Sequence, residues 1–248
     1  MGILNLTPDS FSDGGIFQSK KSALEHAYRM IDEGADMIDV GGESTRPGAS
    51  PITEEDEIAR VVDVVKELSR TANVPISIDT SKPAVAEASL KAGASIINDV
   101  GGLRDERMIE IAKAFDSPVV IVHMFGTPKT FATHTMEGDA GEEIKRFLSG
   151  RAEFALRKGI GGSNIIVDPG IGFGKTSEQD MFIINNSGWF SDKYPVLIGP
   201  SRKRFLSQYY EGMDKDKATA AAAAAAAKSG ASMLRVHNVS EVLSALKK

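Results

Sequence analysis

Eight short runs of aliphatic and β-branched residues, each followed by a stretch of helix length, constrain this chain more than any other feature. The runs occupy residues 2–5, 37–40, 76–79, 95–98, 119–123, 165–168, 196–199 and 233–237. Strand-length runs alternating with helix-length segments predict a βαβ series, and therefore a parallel sheet. Eight is the number of strands that closes a barrel, and 248 residues is the usual size of one. The expected fold is α/β, a (β/α)8 TIM barrel in a single domain spanning 1–248. An open, doubly wound sheet is the alternative.

The segments between the runs carry helix punctuation. Thr53-Glu54-Glu55-Asp56 supplies a cap and carboxylates ahead of Ile58, Val61, Val62, Val64, Val65 and Leu68, an apolar stripe at helical spacing. Glycine stands at the predicted helix exits, at Gly34, Gly93 and Gly230. The alanine run 220–227 suits a helix packed closely against a strand, alanine being the best helix former. No linker, second domain or short-period repeat is visible.

Composition removes several function classes. The formal net charge of −5 gives no general attraction for nucleic acid or an anionic membrane, so neither is an expected partner. With no cysteine there can be no disulfide or thiol chemistry, which fits a reducing cytoplasm. No apolar stretch approaches the roughly 20 residues of a spanning helix. Asn5, Thr7 and Pro8 interrupt the opening apolar stretch, so no signal peptide is expected.

Nearly every run ends in, or leads into, a side chain capable of recognition: Asn5, Asp39, Asp79, Asn98, His123, Asp168, Ser201 and His237. A parallel barrel gathers all strand C-termini at one face, so these side chains are expected to converge on one mouth. Arg46, Arg202, Lys203, Arg235 and His237 fall at or just beyond strand ends, a local anion-binding set in an acidic protein. The glycine-rich string 170–176 is not a P-loop, because Pro169 stands where its first glycine is required. It is not a dinucleotide fingerprint either, since Lys175 replaces the third glycine. Its glycines suit a tight strand exit or close approach to a flat ligand. The four histidines, His26, His123, His134 and His237, show no paired zinc spacing, and His26 is expected on a helix surface.

Seven strings, in order and over almost the whole chain, resemble those of dihydropteroate synthases. They are Met1 through Gly15 (MGILNLTPDSFSDGG), Gly41 through Gly48 (GGESTRPG), Ile78-Asp79-Thr80 and Ile97-Asn98-Asp99-Val100. The rest are Asp168 through Thr176 (DPGIGFGKT), Ser201-Arg202-Lys203 and Arg235-Val236-His237.

The resemblance implies condensation of 6-hydroxymethyl-7,8-dihydropterin diphosphate with p-aminobenzoate to dihydropteroate, a step of folate biosynthesis and a sulfonamide target. Asp79, Asn98, Asp168 and Lys203 would line the pterin pocket, a carboxylate accepting paired N–H donors from the pterin edge. Asn5 would place magnesium on the diphosphate, and Thr45, Arg46, Arg235 and His237 would bind its oxygens. Phe173, Ser201 and Arg202 would border p-aminobenzoate. The first two loops, with Asp9, Phe11 and Asp13, would close over the reacting centre. In the family mechanism the C–O bond breaks first and the arylamine then attacks a pterin-stabilised cation. Lys203, Arg235 and His237 would stabilise the departing charge. A cytoplasmic homodimer, joined by outer helices of the C-terminal half, is also implied.

The chain departs from the family pattern in places. It opens directly on the first motif, without the usual hairpin, which suggests truncation. Asn238 replaces an aspartate and is expected to cap the last helix. The loop after Met124 lacks the usual Met-Gln, and Glu178-Gln179-Asp180-Met181 replaces Glu-His-Asn-Leu. The rival readings are the methyltetrahydrofolate barrel of corrinoid-dependent methyltransferases and a non-catalytic pterin-binding protein. Neither accounts for the cations.

Overall fold

The computed structural model describes residues 1–7, 15–44, 49–126 and 136–247, and of residues 15–19 the backbone only. Six strands, β1 (Gly2–Asn5), β2 (Ile38–Gly41), β3 (Ile76–Asp79), β4 (Ile96–Asp99), β5 (Val119–Val122) and β6 (Ile165–Asp168), run parallel in sequence order. A shorter pair, β7 (Leu197–Ile198) and β8 (Met233–Leu234), is also parallel. Bridges from Val167 to Val196 and from Gly2 to Val236 join this pair to β6 and β1. The sheet therefore closes into the expected barrel, and the open-sheet alternative falls.

β7 and β8 are two residues each, shorter than their apolar runs. Pro195 and Pro200 bracket the seventh run, and neither has an N–H to extend a ladder. Pro195 still accepts from Val167 N at 3.0 Å, which keeps the seam shut.

The helices α1 (Gly15–Asp32), α2 (Glu54–Thr71), α3 (Pro83–Lys91), α4 (Glu106–Ala114), α5 (Ala140–Arg157), α6 (Ser177–Asn185), α8 (Lys215–Lys228) and α9 (Val239–Leu246) follow the strands. A four-residue α7 (Leu206–Tyr209) precedes α8. Side chains alternate across each strand, so one set faces the helices and the other the barrel axis. Leu4, Ile38, Val40, Ile76, Ile78, Ile97, Val119, Ile121, Ile165, Val167 and Ile198 pack outward against the helices. Ile96, Val120, Val122, Ile166 and Leu197 form a separate cluster along the axis, with Met1, Met37 and Met233 packed against it. These methionines lie at the strand N-termini, where flexible thioethers fill an irregular space. The opposite end of the axis is polar.

Local chemistry sets the helix ends. Thr53 accepts from Asp56 N at 3.1 Å, and Thr176 and Gln179 form a reciprocal capping box that starts α6. Asn238 caps α9 through Glu241 N at 3.1 Å, the role its position suggested. Such a cap contributes about 1 kcal/mol. Gly34, Gly93 and Gly230 stand in left-handed backbone just past α1, α3 and α8. The alanine face of α8 is buried, packed on β8 and also on α9 and α6. His26 differs from expectation, being half-buried on α1, where desolvation lowers its pKa.

Candidate active site

Inside the C-terminal end of the barrel, Asp39, Asp79 and Asn98 come from neighbouring strands, and Arg235 reaches them from beyond β8. Arg235 Nε donates to Asp39 Oδ2 at 2.6 Å, and its Nη2 donates to Asp79 Oδ2 at 2.6 Å. Asn98 Nδ2 donates to the same Asp39 oxygen at 3.1 Å. Asp39 Oδ1, Asp79 Oδ1 and Asn98 Oδ1 are buried without a hydrogen-bond partner among the described residues. A buried acceptor left unmet costs about 1–3 kcal/mol, so three together make a site awaiting donors.

Charge in this cluster is finely balanced. Burial pushes the Asp79 carboxyl up to about 7, with Asp39 and Glu57 adding to the rise and Arg235 opposing it. Burial likewise raises Asp168, at the end of β6, to about 6 against the pull of the Gly170 N–H, Lys203 and Lys175. Burial weakens the Arg235 cation, but the paired carboxylates outweigh that and raise its pKa. Burial and Arg235 together lower the pKa of Lys203.

Of these groups Asp79, Lys203 and Arg235 line a cleft of about 1210 Å³ at the barrel mouth. Its cationic side carries Lys203, Arg235 and Arg204, with Asn5 and His237 nearby. Lys203 Nζ lies 4.3 Å over the Phe173 ring, a cation–π contact. His237 Nδ1 is 2.8 Å from Ser201 Oγ, and His237 Nε2 is 3.5 Å from Asn5 Nδ2. The Ser201 hydroxyl thus orients His237 as well as lining the cleft. Arg202 lines the cleft, where its guanidinium pairs bidentately with Asp216 on α8, at 2.9 and 3.1 Å. Asn238 Nδ2 reaches the same carboxylate at 3.2 Å.

The glycine-rich string forms the turn leaving β6. Asp168 Oδ1 accepts from Gly170 N at 2.7 Å. Gly170 has φ +73°, and a Cβ there would meet His123 O at 1.8 Å, so only glycine fits. Lys175 is buried and donates to Gly170 O at 2.8 Å and Phe173 O at 3.2 Å, with His123 Nδ1 at 3.0 Å. Burial, reinforced by Lys175 and Arg104, drives His123 down to about 2. His123 is therefore neutral and accepts at Nδ1. Its strand-end position suggested a mouth residue, yet the imidazole supports this turn from behind.

Asp9, Phe11, Asp13, Thr45 and Arg46 lie outside the described residues. Asn5, Asp79, Asn98, Asp168, Phe173, Ser201, Lys203, Arg235 and His237 are brought to one end of the barrel. Asp39 is a strand-end polar residue to which sequence reasoning assigned no site role. Lys175 and Asp180 were missed as site residues, although a lysine among glycines signals burial of a charge. Among the described residues no group of three or more His, Cys, Asp or Glu is placed to hold a metal ion. Asn5 supplies one amide oxygen at the mouth, which suits an ion that takes few protein ligands and completes its shell on phosphate. The whole arrangement can hold a flat, donor-rich heterocycle against the acids and an anion against the cations.

Comparison with known proteins agrees with this chemistry. Residues 1–237 match the family model for pterin binding enzymes. The chain is 41% identical to the dihydropteroate synthase of Bacillus subtilis over 249 residues, covering 98% of this chain and 84% of the relative. It superimposes on the Xanthomonas albilineans dihydropteroate synthase with 4-aminobenzoic acid at TM-score 0.92 and 38% identity, covering 100% of this chain and 90% of the other. For the Burkholderia cenocepacia dihydropteroate synthase complexed with 7,8-dihydropteroate, the TM-score is 0.89 at 39% identity, with 100% and 88% covered. A closed (β/α)8 barrel with a cation-lined mouth over buried acids, matched at this identity along its length, belongs to the dihydropteroate synthases of the pterin-binding enzyme family.

Proposed function

We propose that the protein condenses 6-hydroxymethyl-7,8-dihydropterin diphosphate with p-aminobenzoate, releasing 7,8-dihydropteroate and diphosphate. The observation that carries this reading is the set of unmet acceptors on Asp39, Asp79 and Asn98 beneath a mouth lined with cations. The N–H groups of a pterin edge meet such acceptors, while Asp168 and Lys203 flank the ring. Arg235 and His237 face the diphosphate, with Thr45 and Arg46 assigned there by family resemblance.

In the reaction the C–O bond to the diphosphate breaks, and its electron pair leaves with the phosphate oxygen. The pterin ring delocalises the resulting cation. The arylamine nitrogen then forms the new C–N bond and loses a proton to solvent. Lys203 and His237 stabilise the departing anion, a charge that preorganised donors hold without reorganising. Asn5 is proposed to hold magnesium, which supplies charge neutralisation on the diphosphate. Phe173 and Ser201 border p-aminobenzoate, and Asp9, Phe11 and Asp13 are assigned to loops that shield the cation from water. Arg202 lines the rim, held there by Asp216.

Residues 1–248 act as one pterin-binding domain. Family resemblance supports a homodimer through C-terminal outer helices, which light scattering tests. Absence of cysteine fits a reducing cytoplasm.

The test is to incubate the purified chain with both substrates and magnesium and to quantify dihydropteroate and diphosphate together. Equimolar products, lost in Lys203→Gln, support the synthase. A folded chain that makes neither, where the Bacillus subtilis relative makes both, refutes it.

A further inference from the structure

The turn from Gly170 to Gly174 is held from two sides by opposite charges. Lys175 Nζ draws in the carbonyls of Gly170 and Phe173, at 2.8 and 3.2 Å. From the other side, Asp180 on α6 accepts the Gly172 N–H at 2.7 Å. Both side chains are buried, Lys175 at 3% and Asp180 at 4% residual exposure. An ammonium on carbonyl oxygens and a carboxylate on an amide each form charge-assisted hydrogen bonds, the stronger kind.

This turn carries two groups of the site. Phe173 lies under Lys203 Nζ, and Gly170 N holds Asp168. Gly172 also packs on the Lys203 stem, since a Cβ there would lie 3.1 Å from Lys203 Cδ. Displacing Gly172 by a few tenths of an ångström therefore shifts both the Phe173 ring and the Lys203 head.

We propose that Lys175 and Asp180 are positioning residues that clamp this turn and so set the Phe173–Lys203 wall against which p-aminobenzoate binds. The inference rests on the functional reading above, in its assignment of p-aminobenzoate to Phe173. Both residues border the cleft, and both act on this wall through the turn they hold.

The charge state of the pair gives a readout that simple structural support lacks. Burial lowers Lys175 to about 7, opposed by Asp180 on α6 and Asp168 on β6, and by Glu143 on α5, while Lys203 after β7 adds to the fall. His123, beyond β5, is neutral and accepts from Lys175. Burial raises Asp180 to about 6 against the Gly172 N–H, Lys175, Lys203 and Arg204. A neutral Lys175 has two N–H groups for four acceptors, His123 Nδ1 and the carbonyls of His123, Gly170 and Phe173, so the clamp loosens as pH rises through the Lys175 pKa. Removing the negative charge of Asp180 lowers that pKa further.

The experiment compares wild type, Asp180→Ala and Asp180→Asn in steady-state kinetics between pH 6 and 8.5. Asparagine keeps an oxygen for Gly172 N–H but no charge. In Asp180→Ala, KM for p-aminobenzoate is expected to rise about tenfold or more, the loss of one charge-assisted hydrogen bond, with KM for the pterin diphosphate within about threefold. In Asp180→Asn that KM is expected to stay nearer wild type at pH 6, and its rise with pH to fall at lower pH than in wild type. The proposal is overturned if Asp180→Ala leaves both KM values unchanged or raises them alike. It is overturned too if the Asp180→Asn profile superimposes on that of wild type, and this arm decides the matter should the alanine variant not fold. Wild type that forms no dihydropteroate sinks the functional reading itself, whereas active wild type with insensitive variants sinks only the clamp.

Discussion

Replacing Arg235 by alanine is expected to destabilise the fold by an amount that grows with pH. The guanidinium neutralises Asp39 and Asp79 through two 2.6 Å contacts, and the three side chains are 19%, 0% and 11% exposed. Removing one partner of a buried ionic cluster costs about 3–5 kcal/mol when the charge left behind cannot escape. Here it can partly escape by protonation. Asp79 already sits near 7 because burial outweighs Arg235, and loss of the cation moves it higher. Between the ordinary carboxylate pKa and the raised folded value, the native state holds a proton that the unfolded chain releases. Stability therefore falls as pH rises through that window. In wild type the fall ends near pH 7; in Arg235→Ala it continues above. We expect a deficit of about 3 kcal/mol at pH 8.5, shrinking to about half or less at pH 5.5, since each pKa unit of extra shift is worth about 1.4 kcal/mol. Urea unfolding followed through the single tryptophan, Trp189, measures it at both pH values. A deficit below about 0.5 kcal/mol at pH 8.5, or one of the same size at both, would refute the account of Arg235 as counter-ion to two buried acids. Arg235→Met, which restores volume without charge, separates packing from electrostatics.

Three further outcomes follow from the same geometry. Asn98→Ala removes a donor to Asp39 and a free acceptor, and is expected to raise KM for the pterin substrate about 10-fold or more, as read by initial rates; an unchanged KM would remove Asn98 from the pterin pocket. Gly170→Ala places a Cβ 1.8 Å from His123 O at φ +73°, and thermal unfolding should register a loss of about 3 kcal/mol or more, left-handed strain and overpacking adding. Ser201→Ala frees His237 Nδ1 from its 2.8 Å partner and is expected to lower kcat while changing stability by about 1 kcal/mol at most; equal losses in both would make the contact purely structural.

Much of the architecture was legible in local chemistry. Strand-length apolar runs, Thr53 and Asn238 as caps, and glycines at helix exits each act over a few residues, so their positions carried through to the structure. The barrel mouth was legible too, because parallel strands must gather their C-termini at one face. Less legible were the ends of the seventh and eighth strands, where apolar runs outlast the ladder and Pro195 and Pro200 limit it. Residues such as Asp9 and Arg46, outside the described residues, rest on family resemblance alone.

Pairing among distant side chains is what the sequence left undetermined. Arg235 meets Asp39 across 196 positions and Asp79 across 156, contacts that exist only because the closing seam brings β8 beside β1. Ser201 turns to His237 and Arg202 to Asp216 from adjacent positions, a choice made by left-handed backbone at Arg202, φ +56°, and by where α8 begins. Lys175 reads as one more cation in a string, yet tertiary packing buries it and assigns it to hold a turn. Sequence by itself determined the strand rhythm, the helix ends and the family, since those rest on short-range periodicity and on motifs in fixed order. Only the tertiary structure decided which charges meet, because each buried ion takes the partner that barrel closure places within reach.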